Sequence, residues 1–149
     1  MGSDDNDVYA LNAATGSLLW KFTTGAQVVS SPAVVEGVVY IGSFDSNVYV
    51  LDAETGTSIW NYTTGPAIVS SPAVVEGVVY VGSADSKVYA LNAATGQLLW
   101  SAMIGPTGYG VNSSPAVSGR SCLCYFSRLY LASFERYNRR LRLELRVNR

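Results

Sequence analysis

The feature that most constrains this chain is a motif that returns in register. Residues 8–20 read VYALNAATGSLLW, residues 48–60 read VYVLDAETGTSIW, and residues 88–100 read VYALNAATGQLLW. Tyr9, Tyr49 and Tyr89 are 40 residues apart, as are Trp20, Trp60 and Trp100. A fixed period of this length marks a repeat architecture, in which each unit hides its apolar face only against its neighbours.

Turn chemistry punctuates each period every eight to ten residues, which excludes paired-helix repeats and predicts short strands. Val8-Tyr9-Ala10-Leu11 is β-branched and aromatic, and residues 12–16 (NAATG) supply a turn in which Gly16 can take positive φ. The partner strand follows and ends at Thr24-Gly25. Pro32 lacks an N–H and therefore suits a strand start or edge. Glu36-Gly37 predicts a tight hairpin. Asp45 and Asp85, each followed by serine, are expected to form Asx turns. One period thus contains four strands, SPAVV, VVYIGS, VYVLD and TSIWNYTT. Four antiparallel strands per repeat is what one propeller blade requires. The expectation is an all-β chain of antiparallel four-stranded blades, an incomplete β-propeller of about three blades of a larger ring. The tryptophans and tyrosines in register are expected to pack one blade on the next.

Residues 10–20, 50–60 and 90–100 resemble the tryptophan-docking motif of the pyrrolo-quinoline quinone (PQQ)-like propeller repeats, Ala-x-Asp-x-x-Thr-Gly-x-x-x-Trp. The departures are mild: Val50 stands for alanine, and Asn12 and Asn92 for aspartate. The resemblance covers about residues 8–117. It implies that each tryptophan packs on the glycine and first residue of the next motif, so that Trp20 sits near Val50 and Gly56, and Trp60 near Ala90 and Gly96. Ala10, Gly16, Trp20, Val50, Gly56, Trp60, Ala90, Gly96 and Trp100 are accordingly the candidate blade-docking residues.

Charge divides the chain. Residues 1–117 carry nine acidic side chains against Lys21 and Lys87, a balance of −7, whereas residues 118–149 carry eight arginines against Glu135 and Glu144, a balance of +6. Residues 1–7 read as a flexible acidic leader; acids at a terminus do not by themselves make a calcium site. Residues 8–117 form the repeat domain. From residue 118 the tail departs from the repeat, reading Gly119-Arg120-Ser121-Cys122-Leu123-Cys124 where the period expects a strand like Gly77-Val78-Val79-Tyr80-Val81. Codons can be chosen for Gly-Arg-Ser-Cys-Leu-Cys that spell Gly-Gly-Val-Val-Tyr-Val when moved by one base. In the same shifted frame Asn138-Arg139 can become Thr-Gly, Arg128-Leu129 can become Asp-Ser and Leu143 can become Trp, each at its repeat offset. Ala132 cannot yield the expected tyrosine. The tail therefore reads as a frameshifted remnant of a further repeat, and codons that forbid Val-Val-Tyr in the neighbouring frame would end that reading. The rival is a basic patch for polyanions; no specific nucleic-acid motif accompanies the arginines.

The chain has no histidine, which removes the commonest general base and transition-metal ligand. No apolar run approaches the length of a membrane span and no signal peptide is visible. Neither a cofactor nor a small-molecule substrate is indicated. The expected function is a noncatalytic scaffold or protein-interaction module, a fragment of a larger propeller, whose partner is another protein or a second copy. The alternative is a fragment of a quinone-dependent dehydrogenase. The resemblance implies that such an enzyme needs a calcium site, a catalytic aspartate and an adjacent-cysteine disulfide, whereas Cys122 and Cys124 are not adjacent. The resemblance also implies an extracytoplasmic or cell-surface location.

Overall fold

A computed structural model describes residues 1–105, 108, 110–118, 121–126, 130–135 and 143–147. The described residues form β-strands joined by turns, without a helix. The first sheet pairs β1 (Asp7–Leu11) with β2 (Leu18–Thr23). The second runs β3 (Ala33–Val35), β4 (Val38–Gly42), β5 (Asn47–Asp52) and β6 (Ser58–Thr63) in spatial order. The third repeats this order in β7 (Ala73–Val75), β8 (Val78–Gly82), β9 (Lys87–Asn92) and β10 (Leu98–Met103). The fourth contains β11 (Ala116–Ser118), β12 (Ser121–Phe126), β13 (Tyr130–Glu135) and β14 (Leu143–Val147). Every pairing is antiparallel. The last three are four-stranded meanders, the architecture of an incomplete propeller.

Local chemistry explains the joints. Glu36 and Gly37 both have positive φ, 50° and 77°, the requirement of a two-residue hairpin whose twist matches its strands. Glu76 and Gly77 repeat it at 49° and 73°. Each outer hairpin carries a bulge: Val50 lies opposite Trp60, but Leu51 lies opposite Ser58, leaving Ile59 as the extra residue. The register slips at the same place opposite Ala10 and Trp20, and again at Ala90 and Trp100. The extra residues Leu19, Ile59 and Leu99 point outward and stay exposed.

The core is divided into seams between consecutive sheets. Val8 and Val28 meet Val39, Ile41 and Leu51 between the first and second. Tyr40, Val48 and Val50 meet Val79, Val81, Tyr89 and Leu91 between the second and third. Val78, Tyr80, Val88 and Ala90 meet Val111 and Cys122 between the third and fourth. Period-two alternation sends each strand's apolar residues to both faces, so an inner blade is apolar on both sides.

Main-chain pairing continues on both sides of residues 8–117. The Met1 amine donates to the Tyr9 carbonyl at 2.7 Å, Tyr9 N–H donates back to Met1 O, and Gly2 bridges to Val8. Met1-Gly2-Ser3 occupies the register of Ile41-Gly42-Ser43, so the period already holds at the first residue. The acids hid this, because they replace the turn's less charged residues without changing its hydrogen bonds. The tail's main chain likewise pairs as a full sheet: Ala116 lies opposite Leu123, Cys122 opposite Phe134 and Phe134 opposite Leu143. Ladder pairing uses backbone groups that every non-proline residue has. The expected slots at 128–129 and 138–139 lie outside the described residues.

Candidate functional site

The candidate residues gather at the seams. The Trp20 indole N–H donates to the Ala53 carbonyl at 2.9 Å, and Trp60 does the same to Ala93 at 3.0 Å, each reaching into the next sheet. Gly56 and Gly96 lie beneath these rings. A Cβ at Gly56 would stand 2.6 Å from Trp20 Cδ2, and one at Gly96 would stand 2.8 Å from Trp60 Cε3. Both glycines have φ +72°, so position and conformation both exclude a side chain. Gly16 has the same conformation, φ +71°, but a Cβ there would meet nothing within 4 Å. Trp100 packs with Tyr80 and Ala90 at the third seam, and the turn that follows in the next repeat lies outside the described residues.

The alanine position divides from the glycine position. Ala10, Val50 and Ala90 lie opposite their own sheet's Trp20, Trp60 and Trp100. Val50 belongs to the seam of Trp60, while Trp20 packs in the seam of Leu51 and Ala53. Ala90 is likewise in the Trp100 seam, and Trp60 packs with Leu91 and Ala93. Strand alternation is the reason, since adjacent residues face opposite sides of the sheet. Aromatic contacts follow the same geometry. Tyr40 meets Trp60 edge-on at 6.4 Å within the second sheet, and Phe22 meets Tyr49 at 5.5 Å across the first seam.

A second set of contacts was not foreseen. Asp45 does form its Asx turn, accepting from Asn47 N–H at 3.0 Å, but its other oxygen accepts from the Tyr49 hydroxyl and from Gly25 N–H, both at 2.7 Å. Gly25 belongs to the preceding repeat, so one carboxylate bolts two sheets together. Asp85 accepts from Tyr89 at 2.6 Å, and Gly65 leaves only 3.1 Å between a built Cβ and its oxygen. The signal was present in the sequence as the common period of Thr-Gly, Asp and Tyr. Near the inner strands, Ser31 N–H donates to Ser71 Oγ and Ser71 N–H to Ser114 Oγ, a chain of bonds from sheet to sheet. Buried Ser70 both donates to Gly82 O and accepts from Gly82 N–H.

Electrostatics reflect these bonds. Burial would raise the Asp45 carboxyl, but donation from Tyr49, Asn47 and Gly25 outweighs it and holds the group below the usual carboxylate range. Burial, then the bond to Asp45, pushes the Tyr49 phenol up to about 12, and burial with Asp85 raises Tyr89 likewise. A raised folded-state pKa contributes stability below the ordinary phenol value near 10 that is lost as pH climbs towards about 12, because the unfolded chain releases its proton first. Replacing both tyrosines by phenylalanine should therefore cost about 1 kcal/mol per bond at neutral pH and flatten the fall of stability across this alkaline window. Urea unfolding at a series of pH values reads it; an unchanged slope would reject the bolt.

The family model described as Outer membrane protein assembly factor BamB matches residues 1–146. The fold is similar to the crystal structure of BamB from Moraxella catarrhalis, with a TM-score of 0.84 and 21% identity, covering 94% of this chain and 46% of that one. It is also similar to the computationally designed Ika8 protein, with a TM-score of 0.81 and 18% identity, covering 96% of this chain and 44% of that one. A stretch of 39 residues is 51% identical to part of the beta-alanine-activating enzyme of Danio rerio, covering 26% of this chain and 3% of that enzyme. The chain therefore spans under half the length of either structure and a small part of that enzyme.

Proposed function

Because this chain belongs to the PQQ-like propeller repeat family that includes the outer membrane protein assembly factor BamB, we propose that it is a noncatalytic propeller module, a scaffold for protein interaction that forms part of a larger propeller. One observation carries this reading. The side chains that recur with the repeat are committed to seams: the indole N–H of Trp20 and Trp60 to the next sheet, and the carboxylate of Asp45 to Tyr49, Asn47 and Gly25. With the Asn47 side-chain amide, which donates to the same group at 3.1 Å, this carboxylate accepts four bonds, as many as its lone pairs take, and is positioned as a structural tie.

Trp20, Val50, Gly56, Trp60, Ala90, Gly96 and Trp100 act in this reading as the parts that hold blade to blade, with Leu51, Ala53, Leu91 and Ala93 completing each seat; Ala10 and Gly16 hold the equivalent places in the first repeat, where a Cβ at Gly16 would meet nothing within 4 Å. The partner is another protein or a second copy of the chain, in an extracytoplasmic or surface location, as the description of the family's assembly factor as an outer membrane protein suggests. Residues from about 119 are an out-of-frame remnant of a further repeat, and the sheet β11–β14 supports a repeat at that place.

A titration with the quinone cofactor and calcium, followed by absorbance, tests the noncatalytic reading. No saturable uptake is expected. Saturable one-to-one uptake would return the chain to the quinone-dependent dehydrogenases.

A further inference from the structure

The outer strands β2, β6 and β10 form the rim of their sheets, and each has one strand partner among the described residues. The sheet of β10 has a packed seam on either face, so its outer edge does not depend on either end of the chain. Ile104 N–H donates to Ser86 O at 2.9 Å. Antiparallel ladders alternate bonded and non-bonded pairs, so Ala102 turns its main-chain groups towards β9, whereas Ser101 and Met103 turn theirs outward. Ser101 is exposed, and Leu99 and Met103 on either side of it are 47% and 49% exposed.

The three outer strands differ at these positions. β2 carries Leu19, Lys21 and Thr23, β6 carries Ile59, Asn61 and Thr63, and β10 carries Leu99, Ser101 and Met103. The threonine hydroxyls are bonded within their own sheets: Thr23 donates to Asp7 at 2.5 Å and Thr63 to Asn47 at 2.6 Å. Met103 replaces that hydroxyl with an apolar side chain opposite Lys87, half of it in water. A charge on an edge strand guards it against pairing with another chain. Lys21 is such a guard on β2, and β10 carries no charge at all.

We propose that a second copy of the chain adds to this edge, β10 against β10, in antiparallel pairing about a two-fold axis at Ser101. The strand is self-complementary in that register. Ser101 exchanges both main-chain bonds with Ser101 of the second copy, and Leu99 of each copy faces Met103 of the other. Two half-exposed apolar side chains on each copy thereby cover one another as cross-strand pairs, and an isologous contact of this kind closes after two subunits. The same operation fails on the other outer strands. On β2 it sets Lys21 against Lys21, a like-charge pair. On β6 it sets Ile59 against Thr63, whose hydroxyl is already bonded to Asn47. The inference rests on the reading as an interaction module and names the partner that uses this edge. Loss of β10 pairing leaves that reading standing, whereas quinone uptake would remove it.

Sedimentation equilibrium of the whole chain over a range of concentrations should show a monomer–dimer equilibrium. Ser101→Lys, which copies the guard of β2 onto β10, should weaken association about tenfold or more. Asn61→Lys, the same change at the equivalent exposed position of β6, should leave it unchanged. Ser101→Glu alone should weaken it as well, but an equal mixture of Ser101→Lys and Ser101→Glu chains should recover it, because opposite charges then meet at the axis. Circular dichroism checks that each variant keeps its sheets. Amide hydrogen exchange on the unaltered chain should show Ser101 and Met103 gaining protection as concentration rises. A chain that stays monomeric up to about 1 mM, equal association by Ser101→Lys, equal loss with Asn61→Lys, no recovery in the mixture, or no protection at those two amides would each overturn the proposal.

Discussion

Trp60→Ala should lower the unfolding free energy by about 3 kcal/mol, near the lower end for removing a large aromatic from a packed site. The ring is partly buried, packs with Val50, Val79, Val81 and Leu91, and bonds to Ala93 O. Truncation removes the indole from the seam and leaves a carbonyl without its donor, and both losses act on one interface. In a linear array each unit depends on its neighbours, so the second and third sheets should lose their common transition. Trp20→Ala, at the seam of the two-stranded first sheet, should loosen mainly that end. Urea unfolding followed by circular dichroism measures the first effect, and hydrogen exchange locates it. A loss under about 0.5 kcal/mol for Trp60→Ala, the scale of ordinary surface substitutions, would show that the indole does not couple the sheets.

Gly56→Ala should cost about 3 kcal/mol, because the new methyl suffers twice. It adopts a left-handed conformation, worth about 1 kcal/mol, and it meets the Trp20 ring at 2.6 Å, which adds an overpacking cost of about 2 kcal/mol. Gly16→Ala supplies the internal control, since φ there is nearly the same and the space above it is open; about 1 kcal/mol is expected. The decisive measurement is the double variant Trp20→Ala with Gly56→Ala. Without the indole the clash disappears, so the second substitution should cost no more than it does at Gly16, and the pair should be less destabilised than the sum of its parts. Additive costs would mean that Gly56 is held by its conformation alone.

Much of this was legible because a repeat reports on itself. Three tryptophans at one spacing reveal a shared environment, and the spacing of Thr-Gly to Trp distinguishes the propeller motif from other repeats. The placement of Val50 and Ala90 was not legible from the motif, since it depends on which side of a pleated sheet the neighbouring blade lies. The Asp45–Tyr49–Gly25 bolt was legible only in part: the Asx turn is local, over two residues, whereas Gly25 arrives from the preceding repeat, 20 residues away. The acidic composition of residues 1–7 hid their membership of the period, because composition averages away the glycine and serine that keep the register.

By itself the sequence determined the unit: four short strands, the turns between them and the aromatic residues that every unit presents. These depend on contacts among near neighbours along the chain, and β-branched runs, Glu-Gly hairpins and Asx turns carry that information locally. Only the tertiary structure decided how units meet. A buried Leu91 and an exposed Leu11 lie in the identical stretch VYALNAATG, and so do a buried Gly96 and an exposed Gly16. What separates them is whether another sheet lies against that face, a relation between residues 30 or more positions apart, as in the 33-residue step from Trp20 to Ala53.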